Sequence, residues 1–195
     1  TLQQSSAASD VYKRQLVGHH NVNNVLAALA ICHAMGLPYA QLVAGIKTLK
    51  GLPHRCELVG VRDGVQFVND SKGTNVGATV AALEGLADRQ NIILVAGGEG
   101  KGQAFAPLAK AVSQHAKHTV LIGRDAVSIA EALDAATPHT FADDMESAVR
   151  TATDIAASGD IVLFSPACAS LDMFADYRAR GDAFTAAVQR CEEVS

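Results

Sequence analysis

The sequence predicts an α/β fold in which helices cover both faces of a mostly parallel sheet and an antiparallel hairpin forms one edge. Segments of strand and helix pattern alternate from residue 56 to residue 191, which is typical of parallel strands joined by right-handed helical crossovers. The run 91–96, Asn-Ile-Ile-Leu-Val-Ala, is apolar throughout, as expected of a strand that is buried on both faces. The Asp63-Gly64 pair between two short strand patterns is a strong signal for a hairpin.

The composition is that of a globular protein with enough apolar residues for a sizeable core. Hydrophobic residues make up 49% of the 195-residue chain, which predicts one domain, or one domain with a piece of another. The net charge of −4 comes from interspersed acids and bases, and this argues against a nucleic-acid partner. No run approaches the ~18–20 apolar residues of a membrane span, and the first residues do not resemble a signal peptide.

The four cysteines are scattered, at positions 32, 56, 168 and 191, and form no C-x-x-C pair. This spacing predicts free, buried thiols and argues against a disulfide or a cysteine metal site. Free thiols are typical of a reducing compartment, so we expect a cytoplasmic protein.

The amino-terminal part precedes the alternation of strands and helices. Residues 1–15 are polar and aperiodic, and we interpret them as disordered or foreign to the fold. Asn21 is predicted to cap an alanine-rich helix over 21–35, and a second helix is predicted over 38–49. The second helix is expected to turn three apolar residues inward, Leu42, Val43 and Ile46.

The alternating part begins with the hairpin and continues almost to the carboxyl terminus. Strands are predicted over 56–61, 65–68, 91–96, 119–122, 139–141 and 160–164. Helices are predicted over 76–86, 105–115, 125–135, 143–157 and 174–191.

Three of the predicted strands end in chemically unusual loops, at 69–75, 97–102 and 165–170. Because ligands of open α/β sheets bind beyond the carboxyl ends of the strands, these loops are expected to converge on one crevice. They supply a carboxylate (Asp70), two ammonium groups (Lys72, Lys101) and two hydroxyls (Thr74, Ser170). N–H groups at the following helix starts would add affinity for anions. This inventory suits a ligand with carboxylate or phosphate groups, whereas the alternative for 69–75 is a capped surface turn.

The glycine-rich loop 97–102 does not match a standard phosphate-binding pattern. The G-x-G-x-x-G spacing of dinucleotide-binding proteins is absent, and Gly102 follows Lys101 where a P-loop has Ser or Thr. A flexible glycine turn with a solvated lysine is the alternative interpretation of this loop. No serine or cysteine has an obvious histidine partner, so the sequence indicates no nucleophile and general-base pair.

Polar side chains also gather at the start of the first predicted helix. The neighbours His19 and His20 are weak candidates for a metal site, because adjacent histidines on a loop are more often solvated or hydrogen-bonded. Asn21 and Asn24 lie three residues apart, so both amides project from one helix face. An amide offers paired donor and acceptor groups that can match an adenine edge. A helix cap with a polar face is the alternative.

Five motifs together resemble the Mur ligase family of peptidoglycan synthesis. They are Gly18-His-His-Asn-Val-Asn-Asn24, Gly51-Leu-Pro-His-Arg-Cys-Glu57, Asn69-Asp-Ser-Lys-Gly-Thr-Asn75, Gly97-Gly-Glu-Gly-Lys101 and Ser165-Pro-Ala-Cys-Ala-Ser-Leu-Asp172. The first motif is shared across a superfamily that includes folylpolyglutamate synthases. The third and fifth motifs resemble the D-glutamate-adding branch, and the resemblance extends from Leu16 to about Glu193.

The resemblance implies a three-domain ligase that uses ATP and Mg²⁺. In this family ATP phosphorylates a carboxylate, and the amino group of an amino acid attacks the acyl phosphate to form an amide. The implied substrates are ATP, D-glutamate and UDP-N-acetylmuramoyl-L-alanine, and we expect a monomer without nucleic-acid or membrane partners.

The resemblance also divides the chain. Residues 16–52 resemble the end of the central ATPase domain, and residues 53–195 resemble the carboxyl-terminal, Rossmann-like domain. The UDP-binding domain, the P-loop and the magnesium ligands of the family match nothing in this sequence. We therefore expect this chain alone to be inactive.

The site residues of the family are carried over by matching motifs. Nucleotide-binding positions match Asn21, Asn24, Arg55 and Asp70. D-glutamate-binding positions match Lys72, Thr74, Lys101, Ser170, Leu171 and Tyr177. The chain departs from the common family pattern by having Gly73 for Ala, Glu99 for Asp and Tyr177 for Phe.

Two other functions stay open at this point. One is another amide ligase of the superfamily, such as a folylpolyglutamate synthase, which the 69–75 motif disfavours. The other is a stand-alone binding domain without catalysis. A P-loop encoded upstream in the same reading frame would decide against the binding domain.

Overall fold

The computed structural model describes residues 19–46 and 51–193 of the chain. The expectations for residues 1–15 and for the end of the second predicted helix lie outside these ranges. The described part contains a six-stranded sheet with helices on both faces, which confirms the predicted fold class.

The bounds of the elements agree with most of the predicted ones. Two helices precede the sheet, α1 (His19–Ala34) and α2 (Tyr39–Ile46). The strands are β1 (Glu57–Arg62), β2 (Val65–Asn69), β3 (Ile92–Gly97), β4 (Ala116–Ile122), β5 (His139–Phe141) and β6 (Ile161–Phe164). The remaining helices are α3 (Val76–Leu86), α4 (Ala106–His115), α5 (Ala126–Ala132), α6 (Met145–Ile155) and α7 (Tyr177–Glu193).

The strand order in the sheet is β1-β2-β6-β3-β4-β5. β1 pairs with β2 in antiparallel orientation, and the other neighbouring strands pair in parallel. Asp63 and Gly64 have φ angles of 50° and 80°, so both central residues of the turn are left-handed, as a two-residue hairpin favours. The predicted edge hairpin is therefore confirmed.

The sheet separates two apolar cores because successive strand residues point to opposite faces. On β3, Leu94 packs in the core under α3, α4 and α5, whereas Val95 packs in the core under α6 and α7. Phe164 of β6 stacks on Phe184 of α7 with 5.0 Å between ring centroids. Full burial of each such side chain contributes roughly 1.5–3 kcal/mol, so the sheet is held from both sides.

Among the boundaries that differ from the predicted ones are the starts of two helices and one strand. α1 begins at His19, so Asn21 lies inside its first turn and is not its N-cap. β4 begins at Ala116, directly after α4, because its first residues pair with β3. α7 begins at Tyr177, because the Asp176 carboxylate accepts hydrogen bonds from the N–H groups of the next turn. The segment between β6 and α7 is consequently longer than predicted.

α1 and α2 form a small pair beside the sheet, and α1 also contacts α3. Large apolar side chains of α1 are exposed, Leu26 by 56% and Ile31 by 62%. Leu42, Val43 and Ile46 are half-buried and the other residues of α2 are exposed, so these three turn inward as predicted, but none of them is fully buried.

Residues 19–46 and 51–193 contain no helix that is long and apolar enough to cross a membrane.

Candidate ligand site at the carboxyl edge of the sheet

The three unusual loops follow three adjacent strands. The first rim loop (69–75) follows β2, the serine loop (165–170) follows β6, and the glycine loop (97–102) follows β3. Since these strands are parallel neighbours, their carboxyl ends lie side by side. The strand order therefore brings together the loops that the sequence singled out.

A solvent-open cavity of about 210 Å³ lies beside the first rim loop. Its polar wall combines Asn24 from α1 with Arg55, Asp70 and Lys72. Small residues complete the lining, Gly73, Ala78, Ala81 and Ala82. The cavity thus joins two basic groups, one carboxylate and one amide. The side chain of Asn21 lies outside the described part.

Asp70 is only 7% exposed, and both of its carboxylate oxygens accept hydrogen bonds. Oδ1 accepts from the backbone N–H of Cys56 at 3.2 Å, and Oδ2 accepts from the hydroxyl of Ser165 at 2.7 Å. Burial raises the pKa of Asp70 to about 6, although these hydrogen bonds and the charge of Arg55 act in the opposite direction. Desolvation is therefore the dominant effect on this carboxylate.

Arg180 of α7 joins the first rim loop to the serine loop. It is 1% exposed, and its guanidinium donates to the carbonyls of Ser71 at 2.9 Å and Cys168 at 3.1 Å. Its Nε donates to the Ser71 hydroxyl at 3.2 Å. Burial lowers the pKa of Arg180 to about 10, so the side chain is still cationic at neutral pH.

Gln103, directly after the glycine loop, joins the start of α3 to the serine loop. Its Oε1 accepts from the N–H of Val76 at 3.0 Å, and its Nε2 donates to the carbonyl of Ala167 at 2.7 Å. The Asn75 side chain accepts from the N–H of Ala78, so two amides of the first turn of α3 are already occupied. Anion binding by this helix start, which the sequence suggested, is correspondingly reduced.

Neither Arg180 nor Gln103 was found from the sequence. Arg180 stands between other charged residues, as on a solvated helix face, and Gln103 is one polar residue in a loop. Their partners lie far away along the chain, at separations of 109 residues for Arg180 and Ser71 and 64 for Gln103 and Ala167.

The glycine loop is braced and does not match the flexible turn of the alternative interpretation. Glu99 and Ala169 exchange two backbone hydrogen bonds of 3.0 and 2.9 Å, and the N–H of Gly100 donates to Asp125 at 2.7 Å. At Gly97, with φ of 129°, a Cβ would lie 1.8 Å from the carbonyl oxygen of Ile122. Only glycine fits there. The loop presents the exposed Lys101 from a left-handed backbone with φ of 52°.

The residues matched to D-glutamate binding are spread along this rim. Thr74 and Tyr177 are half-buried, Ser170 is 4% exposed, and Leu171 is 62% exposed. Lys72 also lines the cavity, together with the nucleotide-matched residues Asn24, Arg55 and Asp70. Its ammonium lies 4.3 Å from the centre of the Tyr177 ring.

The buried thiols of the site are poor nucleophiles. Burial raises the pKa of Cys168 to about 12, and burial together with the neighbouring Asp70 raises the pKa of Cys56 still further. Cys56 and Cys168 are free and packed, as predicted.

The donor set of the cavity fits a phosphorylated ligand and does not fit Mg²⁺. Asp70 is the carboxylate of the cavity wall, it already accepts two hydrogen bonds, and two basic groups share the wall with it. No group of three or more His, Cys, Asp or Glu side chains that could hold a metal occurs in the described ranges.

The fold and its carboxyl-edge cavity define an α/β domain, and residues 54–168 match the family described as Mur ligase, glutamate ligase domain. The chain belongs to this family. A UDP-N-acetylmuramoylalanine--D-glutamate ligase of Nitrosospira multiformis is 48% identical over 189 residues, which are 96% of this chain and 40% of that protein. The ligase of the same name from Nitrosococcus oceani is 51% identical over 89% of this chain and 38% of that protein. The chain thus spans less than half the length of these relatives.

Solved structures of related ligases share the fold. UDP-N-acetylmuramate-alanine ligase MurC from Thermotoga maritima superposes with a TM-score of 0.66 at 17% identity, over 92% of this chain and 39% of that one. A bifunctional folylpolyglutamate synthase/dihydrofolate synthase from Yersinia pestis superposes with a TM-score of 0.60 at 19% identity, over 82% of this chain and 37% of that one. At these identities the likeness concerns the fold alone.

Proposed function

We propose that this chain is the carboxyl-terminal part of a cytoplasmic, monomeric, ATP-dependent ligase that adds D-glutamate to UDP-N-acetylmuramoyl-L-alanine in peptidoglycan synthesis. The observation that carries the proposal is that three rim loops follow adjacent parallel strands, and that the first of them walls a cavity with Arg55, Asp70 and Lys72. Support comes from relatives that are 48% and 51% identical and carry the name of such a ligase.

The nucleotide is proposed to occupy the cavity. The amides of Asn21 and Asn24 offer donor and acceptor groups to the adenine edge. Arg55 is proposed to meet phosphate oxygens, because its guanidinium donates in a planar fork. Asp70 accepts from the ribose hydroxyls through the acceptor capacity that Ser165 and Cys56 leave unused.

D-glutamate is proposed to lie along the rim. Its two carboxylates can accept charge-assisted hydrogen bonds. Lys101 donates from a compact positive charge, and the hydroxyls of Thr74 and Ser170 donate in fixed directions. Leu171 and Tyr177 flank the same rim.

The chemistry follows from holding both substrates in one crevice. ATP transfers its terminal phosphoryl group to the carboxylate of the UDP-linked substrate, which gives an acyl phosphate and ADP. The neutral amine of D-glutamate forms the new C–N bond, the C–O bond to phosphate breaks, and phosphate and a proton leave. Charge-assisted contacts of the rim position the amine for this attack. Mg²⁺, which ligases of this kind use to neutralise phosphate charge, is proposed to be held by the central ATPase domain of the whole protein.

A folylpolyglutamate synthase is the second candidate, because such an enzyme shares the fold with a TM-score of 0.60. The D-glutamate-adding function is favoured because the more similar relatives carry that name. A stand-alone binding domain would have the same site without the phosphoryl-transfer machinery.

The test uses the full-length protein encoded by the gene that contains this chain. With ATP and Mg²⁺, it is expected to release phosphate when UDP-N-acetylmuramoyl-L-alanine and D-glutamate are both present. The 195-residue chain alone is expected to release none. Phosphate release that requires a folate and L-glutamate would favour the folylpolyglutamate synthase, and no activity with either pair would favour a binding domain.

A further inference from the structure

The half-buried ring of Tyr177 lies against a cavity residue. The Nζ atom of Lys72 is 4.3 Å from the ring centroid, which is within the range of a cation–π interaction. Lys72 itself lines the cavity together with Arg55 and Asp70. Tyr177, which does not line the cavity, therefore contacts it through the ammonium of Lys72.

The surroundings fix both the ring and the backbone of Lys72. The His54 ring meets the Tyr177 ring edge-on, with 6.0 Å between centroids. The carbonyl of His54 accepts a 3.0 Å hydrogen bond from the N–H of Lys72. His54 in turn lies close against α7, since a Cβ added at Gly181 would be 2.3 Å from its Nδ1.

A free lysine side chain loses up to ~2 kcal/mol of rotamer entropy when it is ordered. The Tyr177 ring restricts the Lys72 ammonium before a ligand arrives, so less of this entropy is lost on binding. The Arg178 guanidinium lies 5.1 Å from the same ring and is the second cation near it. It does not line the cavity, so the Lys72 contact is the one that affects the ligand.

We infer that Tyr177 is a positioning residue, whose ring holds the Lys72 ammonium at the cavity to receive an oxyanion of the ligand. That oxyanion is a phosphate group of the nucleotide or a carboxylate of the amino acid, and its identity rests on the proposed function. The Lys72 ammonium is attracted to the π face of Tyr177, so the aromatic ring positions it and the hydroxyl is not needed. A phenylalanine at position 177 would serve equally.

The contact is tested first without any ligand, by NMR of the 195-residue chain. The ring current of Tyr177 is expected to shift the ε-methylene protons of Lys72 upfield in the wild type and in Tyr177→Phe. In Tyr177→Leu the shift is expected to disappear. Wild-type ε-protons at their ordinary position would overturn the inference.

The consequence is tested by titrating the same chain with ADP in one arm and D-glutamate in the other. For the anion that Lys72 binds, Tyr177→Leu is expected to weaken binding by roughly two- to fivefold, and Tyr177→Phe is expected to bind like the wild type. The arm that responds identifies the anion. In the Lys72→Met background, Tyr177→Leu is expected to have no further effect.

Three results would overturn the inference. They are equal weakening by Tyr177→Phe and Tyr177→Leu, an undiminished effect in the Lys72→Met background, and no ligand-induced shift at Lys72 in the wild type. None of them would decide the proposed function, which is judged separately by phosphate release from the full-length protein.

Discussion

The Ser165 hydroxyl donates a 2.7 Å hydrogen bond to Oδ2 of Asp70 and thereby joins the end of β6 to the end of β2. The same hydroxyl oxygen lies 3.0 Å from Oγ1 of Thr79 in α3, so the contact ties the sheet edge to the helix behind it. Despite this hydrogen bond, burial raises the pKa of Asp70 from 3.8 to about 6. The ionised form of Asp70 therefore lowers the stability of the folded chain, although its hydrogen bonds hold it in place.

The first prediction concerns stability against pH. Asp70 keeps its proton in the folded chain up to a pH near 6 but loses it near 3.8 in the unfolded chain, so stability falls as pH rises through this window. Asp70→Asn is expected to remove this fall and to raise the free energy of unfolding above pH ~7 by on the order of 1–3 kcal/mol. Urea unfolding of both proteins below pH ~4 and above pH ~7 measures the difference. A difference that does not change with pH would contradict the burial of a charged Asp70.

The same substitution separates two roles of Asp70 in the full-length ligase. If Asp70 accepts from the ribose, Asp70→Asn raises the KM for ATP and leaves the shape of the pH–rate profile unchanged. Loss of the acidic limb of that profile would instead identify Asp70 as a general base.

The second prediction concerns Arg180, the buried arginine that joins two rim loops. Arg180→Lys is expected to lower the free energy of unfolding by about 2–4 kcal/mol, because a single ammonium cannot reach the carbonyls of both Ser71 and Cys168. The matched control is Arg178→Lys, in the same helix but 67% exposed, and a change within about 0.5 kcal/mol is expected there. Equal effects of both substitutions would show that Arg180 does not hold the loops.

The third prediction concerns Gln103. Gln103→Ala removes the partners of the Val76 N–H and the Ala167 carbonyl, and about 1–3 kcal/mol of stability is expected to be lost. Gln103→Glu is expected to lower the free energy of unfolding by more than the loss of one hydrogen bond would, since it places a carboxylate oxygen against the Ala167 carbonyl oxygen. Gln114→Ala, at an exposed position, is the control. If Gln103→Ala and Gln114→Ala have the same free energy of unfolding, Gln103 does not stabilise the fold through these two hydrogen bonds.

The fourth prediction concerns the two leading helices. Leu26, Ile31 and Met35 of the α1 region are 56%, 62% and 75% exposed, whereas the residues of β3 are fully buried. Since local opening is easiest where few apolar contacts hold an element, the α1 amides are expected to exchange with solvent faster than those of β3 and β6. A chain of residues 53–195 is expected to keep the sheet intact. Slowest exchange in α1, or unfolding of the shortened chain, would contradict this division of the chain.

Local patterns were sufficient to predict most of the fold. The Asp63-Gly64 pair specifies its own turn, because both residues adopt positive φ at low cost. The apolar run of β3 predicts a central strand because burial on both faces leaves no polar position. The rim loops were found in the same way, since their polar residues follow the ends of these strands.

The features that the sequence did not reveal depend on contacts distant in the chain. Arg180 looks like a surface residue of α7 until the serine loop folds over it. Asn21 looks like a cap, but α1 extends beyond it. The inward face predicted for α2 is only half-buried, since periodicity shows which side of a helix is apolar but not how fully another element covers it.

The last prediction concerns Lys101, which the glycine loop holds at φ of 52°. A non-glycine residue in this region costs roughly 1–2 kcal/mol, so Lys101→Gly is expected to raise the stability of the chain while Lys101→Ala does not. Strain of this kind would fit the ligand contact that is proposed for Lys101. Thermal or urea unfolding of Lys101→Gly and Lys101→Ala checks the strain.

The most direct test is to measure both Michaelis constants of the full-length ligase with Lys101→Ala. Loss of one charge-assisted hydrogen bond costs roughly 1.5–3 kcal/mol, so the KM for D-glutamate is expected to rise about ten- to a hundredfold while the KM for ATP changes little. Thr74→Ala and Ser170→Ala are expected to follow the same pattern. If the KM for ATP rises as much as that for D-glutamate in all three variants, the rim binds the nucleotide and does not bind D-glutamate.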